Sequence, residues 1–342
     1  MKTKSFLFLF GLLLSLALAE AVIRALPKIS SEFKLSSYMV DNPDIEALNR
    51  PESYPKYRTS SVVGYEMIPE SAADINCYGM AGKEYGLRKT SNTYRILVIG
   101  DSITQLDWYV RGIEEKLNNS PYLNYNFELW NAGVPGYAVD QYLNYIKFKG
   151  IKYNPDMVII AFCLNDFNIS GTLIVYKDAD GFKGYFYSGY NLRRIIPTNN
   201  FLFRYSYLYR YLYINIDRLL GKSCAGRYSD ERENTGTESL KEIKNLLQKK
   251  NIKLLGVIFP YLKPLQEYSQ FEKEEYEIMQ RVLTALNIEY LDLHWIFPKG
   301  GKELMALRSC QDYVHPSKEG HEIAAEAIYS YLIEKYFTKA SH

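Results

Sequence analysis

The chain is short of cysteine, of net charge and of long apolar runs, and each shortage removes a class of protein. Four cysteines in 342 residues are too few for a disulfide scaffold, and no pair has the close spacing of a zinc knuckle. There is no His-Glu-x-x-His pattern and no EF-hand loop, so no catalytic metal and no other cofactor is expected. With 41 Lys plus Arg against 39 Asp plus Glu, the formal charge is only +2. No attraction to a polyanion is written into that balance, and nucleic acid is not an expected partner. The 47% hydrophobic and 23% charged content excludes disorder and supplies one large core or two modest ones. Against these shortages stands an excess, 32 tyrosines.

The single long apolar run is at the start. Lys2 and Lys4 supply positive charge, and Ser5 to Ala19 follows almost unbroken, ending in Ala17-Leu18-Ala19, which fits a signal peptidase site. The run continues through Glu20 to Leu26 before Pro27 stops it. Residues 1–26 therefore read as a cleaved signal or a retained N-terminal membrane anchor, and less well as a buried soluble helix. Either of the first two makes the protein exported, periplasmic or extracellular, because no second run of spanning length occurs. Export raises the question of pairing among Cys77, Cys163, Cys224 and Cys310. The sequence selects no pairing, and at most one disulfide is expected. Cys163 lies inside an apolar run and reads as a small buried residue.

From Arg95 onward strand and helix signals alternate. Strands are expected at Arg95–Gly100, Asn126–Asn131, Met157–Phe162, Ile252–Phe259 and Ile288–Leu293. Helices are expected at Thr104–Asn119, Val139–Phe148, Thr237–Asn251, Glu272–Leu286 and Ser317–Phe337. The Met157–Phe162 run is continuously apolar, as in a strand covered on both faces. Five strands separated by helices predict an α/β fold, a parallel sheet with helices on both sides. Such sheets bind ligands beyond the carboxyl ends of their strands.

Four clusters fall at that edge: Gly100-Asp101-Ser102, Asn131 to Tyr137, Cys163-Leu164-Asn165-Asp166, and Asp312 to Pro316. Acyl transfer is the chemistry they fit. A serine hydroxyl needs a base, and His315 is the histidine at this edge with a carboxylate, Asp312, three residues before it. Asp312 would hold the imidazole tautomer. The N–H groups of Ser102 and Gly133 and the amide of Asn165 are available to a developing oxyanion. Asp166 reads as a residue that fixes the loop, and Gly136 as a turn glycine. His294 follows Asp292 like a second acid–base pair but reads as a packed strand-end residue, and His321, six residues past His315, as structural.

Together the clusters resemble the four sequence blocks of the SGNH hydrolases, also called the GDSL esterase and lipase family, with Ser102, Gly133, Asn165 and His315 at the matching positions. The similarity spans about Tyr94 to Tyr336, with a long insertion after Asp166. The resemblance implies a flavodoxin-like three-layer α/β/α sandwich with a five-stranded parallel sheet. It also implies a Ser102–His315–Asp312 triad with an oxyanion hole of Ser102, Gly133 and Asn165. One departure stands out: Cys163 occupies the position where the third block usually has glycine. The absence of a Gly-x-Ser-x-Gly elbow removes the main signature of the α/β-hydrolase alternative.

The resulting expectation is an exported serine esterase acting on a small-molecule, lipid or cell-surface glycan ester through an acyl-enzyme. An O-acyltransferase with the same triad, or a non-catalytic carbohydrate-binding protein on the same fold, are the alternatives. The expected organisation is a signal or anchor at 1–26, a stalk and strap at 27–93, and a hydrolase domain at 94–337 carrying an insertion at 167–236. The insertion is too long for an ordinary loop and is expected to form a cap. Within it every odd position from Phe201 to Tyr213 is aromatic. A helical stripe of Leu202, Tyr205, Tyr209, Leu212, Ile216 and Leu219 continues past the alternation and accounts for more residues than a strand does, so a helix is expected there.

Overall fold

The computed structural model describes residues 2–26, 57–60, 62–167, 177–178, 181–182, 201–209, 211–212, 225–298, 301–309 and 312–337. In chain order these form helix α1 (Lys2–Ala25), a hairpin of β1 (Tyr57–Ser60) and β2 (Gly64–Met67), and β3 (Thr93–Gly100). Helices α2 (Ser102–Gln105) and α3 (Trp108–Asn118), β4 (Asn126–Gly133), α4 (Val139–Phe148) and β5 (Met157–Cys163) follow. Then come β6 (Lys177–Asp178), β7 (Gly181–Phe182), α5 (Phe201–Tyr205), α6 (Ala225–Lys249), β8 (Lys253–Phe259), α7 (Gln270–Ala285), β9 (Tyr290–Asp292) and α8 (Lys318–Leu332). The chain separates into two compact units, residues 56–170 with 229–342, and residues 1–55 with 171–228.

The first unit is built on a five-stranded sheet in the order β4-β3-β5-β8-β9, every neighbouring pair parallel. All five expected strands are present, and α4 has the expected bounds. Parallel connections are right-handed as a rule, which with this strand order puts α3 on one face and α4, α6 and α7 on the other. The side chains agree: Lys116 of α3 pairs with Glu326 of α8 at 2.5 Å, whereas Lys147 of α4 pairs with Glu242 of α6 at 2.6 Å and Arg281 of α7 with Glu233 at 2.7 Å. The central strand β5 is buried along its whole length, which is why its sequence shows no polar alternation.

The expected helix Thr104–Asn119 is instead two helices. Asp107 breaks it by taking a left-handed backbone, φ 65°, a conformation that aspartate and asparagine tolerate better than most residues. The break turns α2 into a single short turn directly after β3. The edge strand β4 is covered by residues ahead of the sheet: Ala81 bridges to Asn131, and Ile75 to Ala81. That covering blunts the open edge of the sheet.

Arg95 fastens this strap. Its side chain is wholly buried. It meets Glu128 at 2.7 Å, donates to the Gly86 and Leu87 carbonyls at 2.8 and 3.1 Å and to the Tyr153 carbonyl, and lies 4.7 Å from the Trp130 ring centroid. Many of the tyrosines are likewise internal. Tyr65, Tyr109, Tyr137, Tyr142, Tyr145, Tyr261, Tyr268 and Tyr276 are buried, burying large rings while their hydroxyls find partners.

The second unit contains α1, the β6–β7 pair and α5. Residues 6–25 of α1 are long and apolar enough to cross a membrane. Phe201–Tyr205 is helical, as are residues 207–209 and 211–212, with a break at Ser206, so the described part of the aromatic alternation is helical in short stretches and not a strand. Most of the insertion, including Tyr185, Tyr187, Tyr190 and Tyr213, lies outside the described residues, and so does the expectation of a cap. The same holds for Cys224 and Cys310; Cys77 and Cys163 are free thiols.

Candidate active site

Ser102 is the first residue of α2, immediately beyond the carboxyl end of β3. Asp101 caps this turn, its Oδ1 accepting from the Ile103 N–H at 2.9 Å. Capping fixes the turn's start, and the Ser102 N–H, at the first position of the helix, has no acceptor within it. Two glycines let the turn sit against the sheet. A Cβ on Gly100 would meet Thr104 Oγ1 at 2.1 Å, and one on Gly133 would meet the Gln105 nitrogen at 2.5 Å.

His315 comes to Ser102 from the far end of the chain. Its Nε2 lies 2.7 Å from Ser102 Oγ, and its Nδ1 bonds Asp312 Oδ2. The loop that carries both is pinned by backbone: Ser309 N–H to the His315 carbonyl at 2.8 Å, and Leu262 N–H to the Tyr313 carbonyl at 2.6 Å. The second bond ties the histidine loop to the residues that follow β8. Asp312 Oδ1 also accepts from the Val314 N–H at 2.7 Å. Partial burial raises the Asp312 carboxyl pKa, but hydrogen bonds from His315 and Val314 outweigh that and hold it below the usual range, so it stays ionised beside the imidazole.

The remaining expected residues gather at the same edge, with differences. Gly133 ends β4, and its N–H is already engaged with Asn131 Oδ1 at 3.0 Å. As an oxyanion donor it would have to share that proton. Asn165 lies in the single 3-10 turn after β5, and its Oδ1 is buried with no acceptor role filled among the described residues. Gly136 takes φ 76°, a turn conformation that glycine adopts without strain.

Cys163 is the buried last residue of β5. Burial first, then the nearby Asp101 and Asp166 carboxyls, push its thiol well above the usual range, so it is an inert thiol rather than a nucleophile. Asp166 holds the loop, as expected. Its Oδ2 accepts from the Cys163 N–H at 2.9 Å and from the Tyr142 hydroxyl at 2.7 Å. Asp166 and Asp101 are both buried and face the same region, and burial drives each carboxyl pKa upward.

Two residues escaped the sequence reading. Asn131, one of the block residues, is the joint of the site: besides accepting from Gly133, its Nδ2 donates to the Thr104 carbonyl at 2.8 Å and to Asp107 Oδ1 at 2.9 Å. A polar residue inside a buried strand was the available signal. Tyr65 is the other. It reaches from β2 to donate to the Pro135 carbonyl at 2.5 Å, while the Tyr137 hydroxyl donates back to the Tyr65 carbonyl; this pair seats the loop after β4. His294 and Asp292 do not form a second dyad. Asp292 accepts from the His294 backbone N–H, from the Tyr276 hydroxyl and from Gln280.

Comparison with protein families gives one match. Residues 98–323 match the GDSL-like lipase/acylhydrolase family, a stretch that contains Ser102, Gly133, Asn165, Asp312 and His315. The chain belongs to that family. Ester hydrolysis is the family's general activity. Among solved structures, the chain is similar to a GDSL-like lipase from Bacteroides thetaiotaomicron (15% identity, 72% of this chain and 91% of that chain covered, TM-score 0.42). It is also similar to a lipase/acylhydrolase from Enterococcus faecalis (17% identity, 71% and 97% covered, TM-score 0.44). A catalytic mutant of an acetylxylan esterase from Geobacillus stearothermophilus gives 18% identity, 73% and 97% covered, and TM-score 0.44. Comparison with curated proteins gives no match.

Proposed function

We propose that this family member is an exported serine esterase, held at a membrane by α1, that cleaves carboxylic esters through a Ser102–His315–Asp312 triad. The observation that carries the reading is the 2.7 Å approach of His315 Nε2 to Ser102 Oγ, with Asp312 on the other ring nitrogen. Asp312 orients the ring so that Nε2 presents its lone pair to the hydroxyl. As Oγ bonds to the ester carbonyl carbon, its proton passes to Nε2 and the carbonyl oxygen takes negative charge. The Ser102 N–H and the Asn165 amide are the donors for that oxygen, with Gly133 N–H sharing its bond to Asn131. Collapse breaks the ester C–O bond, and the leaving alkoxide takes the proton from Nε2. Water then attacks the acyl-enzyme, giving its proton to His315, and the carboxylic acid departs as Ser102 is restored.

The substrate class in this reading is an O-acyl ester on a surface glycan or a lipid. The test combines labelling with turnover. A fluorophosphonate should modify Ser102, and p-nitrophenyl acetate should be hydrolysed. Ser102→Ala and His315→Ala should each lower kcat by about 10⁴-fold or more, because such residues act as a unit. An unlabelled Ser102 together with no turnover would sink the reading. If an added polysaccharide outcompetes water for the acyl group, acyl transfer replaces hydrolysis.

A further inference from the structure

The helix α1 ends in two charged residues that are used by a part of the chain far from it. Glu20 follows the Ala17-Leu18-Ala19 run. Its Oε2 accepts from the Ser206 hydroxyl and the Leu208 N–H, each at 2.8 Å, and its Oε1 from the Tyr207 N–H at 2.9 Å. Those N–H groups begin the helical residues 207–209, and the first N–H groups of a helix find no acceptor within it. Arg24, one turn further along α1, bonds Glu20 at 2.7 Å and donates from Nη2 to the Tyr205 carbonyl at 2.6 Å. Tyr205 is the last residue of α5. The Arg24 guanidinium also lies 4.6 Å from the Tyr207 ring centroid. The acid thus accepts from N–H groups at the start of one short helical stretch, and the base donates to a carbonyl at the end of another.

This clasp fixes an aromatic segment at the end of a helix of membrane-spanning length. Phe201 is 71% exposed, Tyr205 59% and Leu202 51%, with Tyr211 and Leu212 also exposed. The side chains of α1 from Phe6 to Leu18 are exposed as well. In water this joint surface would be a large apolar patch. Tyrosine rings and an arginine at the end of an apolar span are what the headgroup region of a bilayer accommodates.

We propose that residues 201–209 with 211–212 are a second membrane-contacting element, a tyrosine-rich girdle lying in the headgroup region where α1 leaves the bilayer, with the Glu20–Arg24 clasp holding it at that depth. The partner of this surface is a phospholipid bilayer. The inference rests on the reading of α1 as a retained anchor, since cleavage after Ala19 would separate Glu20 from the helix that carries it.

The experiment uses the full chain in phosphatidylcholine–phosphatidylglycerol nanodiscs that contain a photoactivatable phosphatidylcholine, with labelled peptides mapped by mass spectrometry. Label is expected on peptides from both 2–26 and 201–212. Glu20→Ala, and separately Ser206→Ala, should lower label on 201–212, the first by about tenfold for loss of hydrogen bonds to a charged group, while label on α1 is unchanged. Label on α1 alone overturns the girdle and leaves the anchor. Loss of residues 2–19 from the membrane-extracted protein, or an unlabelled α1, overturns both. Equal label on 201–212 in wild type and both variants overturns the clasp. Turnover of p-nitrophenyl acetate, measured on the same samples, reads the hydrolase independently.

Discussion

Gly133 gives its N–H to the side-chain oxygen of Asn131, 3.0 Å away and two residues back on the same strand. The other end of that amide holds the Thr104 carbonyl and the Asp107 carboxylate. One buried side chain therefore joins the end of β4, the turn that carries Ser102 and the start of α3. Asn131→Ala should cost about 2–3 kcal/mol, because it strands buried polar groups without partners. Urea unfolding should show this as a lower midpoint with unchanged slope. Turnover should fall with KM little changed, since the turn that carries Ser102 loses its tie to the sheet. Asn131→Asp should be worse still, pointing a second carboxylate at Asp107. Wild-type stability in the alanine variant would contradict the role given to Asn131.

Asp166 offers a test by pH. Burial and the neighbouring Asp101 carboxyl push its pKa well up in the folded protein, so the fold favours the neutral form. Its contribution to stability is then fully present below the ordinary aspartate value of about 4 and is lost as pH rises toward the raised value. Asp166→Asn removes the titration and keeps an oxygen for the Cys163 N–H and the Tyr142 hydroxyl. Thermal melts from pH 4.5 to 8 should show the asparagine variant gaining on wild type as pH rises, with turnover retained. Asp166→Ala should lose turnover because the loop bearing Asn165 is released. A wild-type-minus-asparagine difference that stays flat across this range would rule out the neutral carboxyl.

His321 titrates in the opposite sense. It is wholly buried, stacked on Tyr109 at 5.8 Å and edge-on to Trp108 at 5.3 Å, and neither ring nitrogen has a partner among the described residues. Burial, helped by the proximity of His315, lowers its pKa from 6.5 to about 4. The unfolded chain then takes up a proton before the folded one does, so stability is lost as pH falls from about 6.5 to about 4. The loss amounts to about 3 kcal/mol at 1.36 kcal/mol per pH unit. His321→Phe fills the same aromatic slot without the nitrogens. It should abolish that part of the acid sensitivity, measured as the difference between the two urea stabilities at pH 7 and pH 4. An equal acid loss in both proteins would refute the assignment.

The five strands of the sheet were legible because runs such as Met157–Phe162 bury both faces and carry no polar interruption. Ser102, Gly133, Asn165 and His315 were legible as blocks because parallel strands bring their carboxyl ends to one edge. The joints between blocks were not. The apolar spacing of residues 104–119 continues through Asp107, and only its left-handed backbone breaks the helix. Asn131 reads in sequence as a strand residue beside two glycines, and its three partners come from the turn and helix start before it and the strand end after it. Glu20 meets its partners across 186 to 188 residues of chain, a distance over which no local pattern carries information.

The buried guanidinium of Arg95 has a consequence in time. Two of its acceptors, Gly86 and Leu87, precede it in the chain, while Glu128 and Tyr153 follow it. Until Tyr153 has joined, a full positive charge on β3 lacks part of its dry surroundings, and burying it unpaired is strongly unfavourable. Burial of this one charge therefore couples the strap, β3, β4 and the turn that leads into β5. A chain made from its N-terminus onward holds this charge without its full set of partners until residue 153 is present.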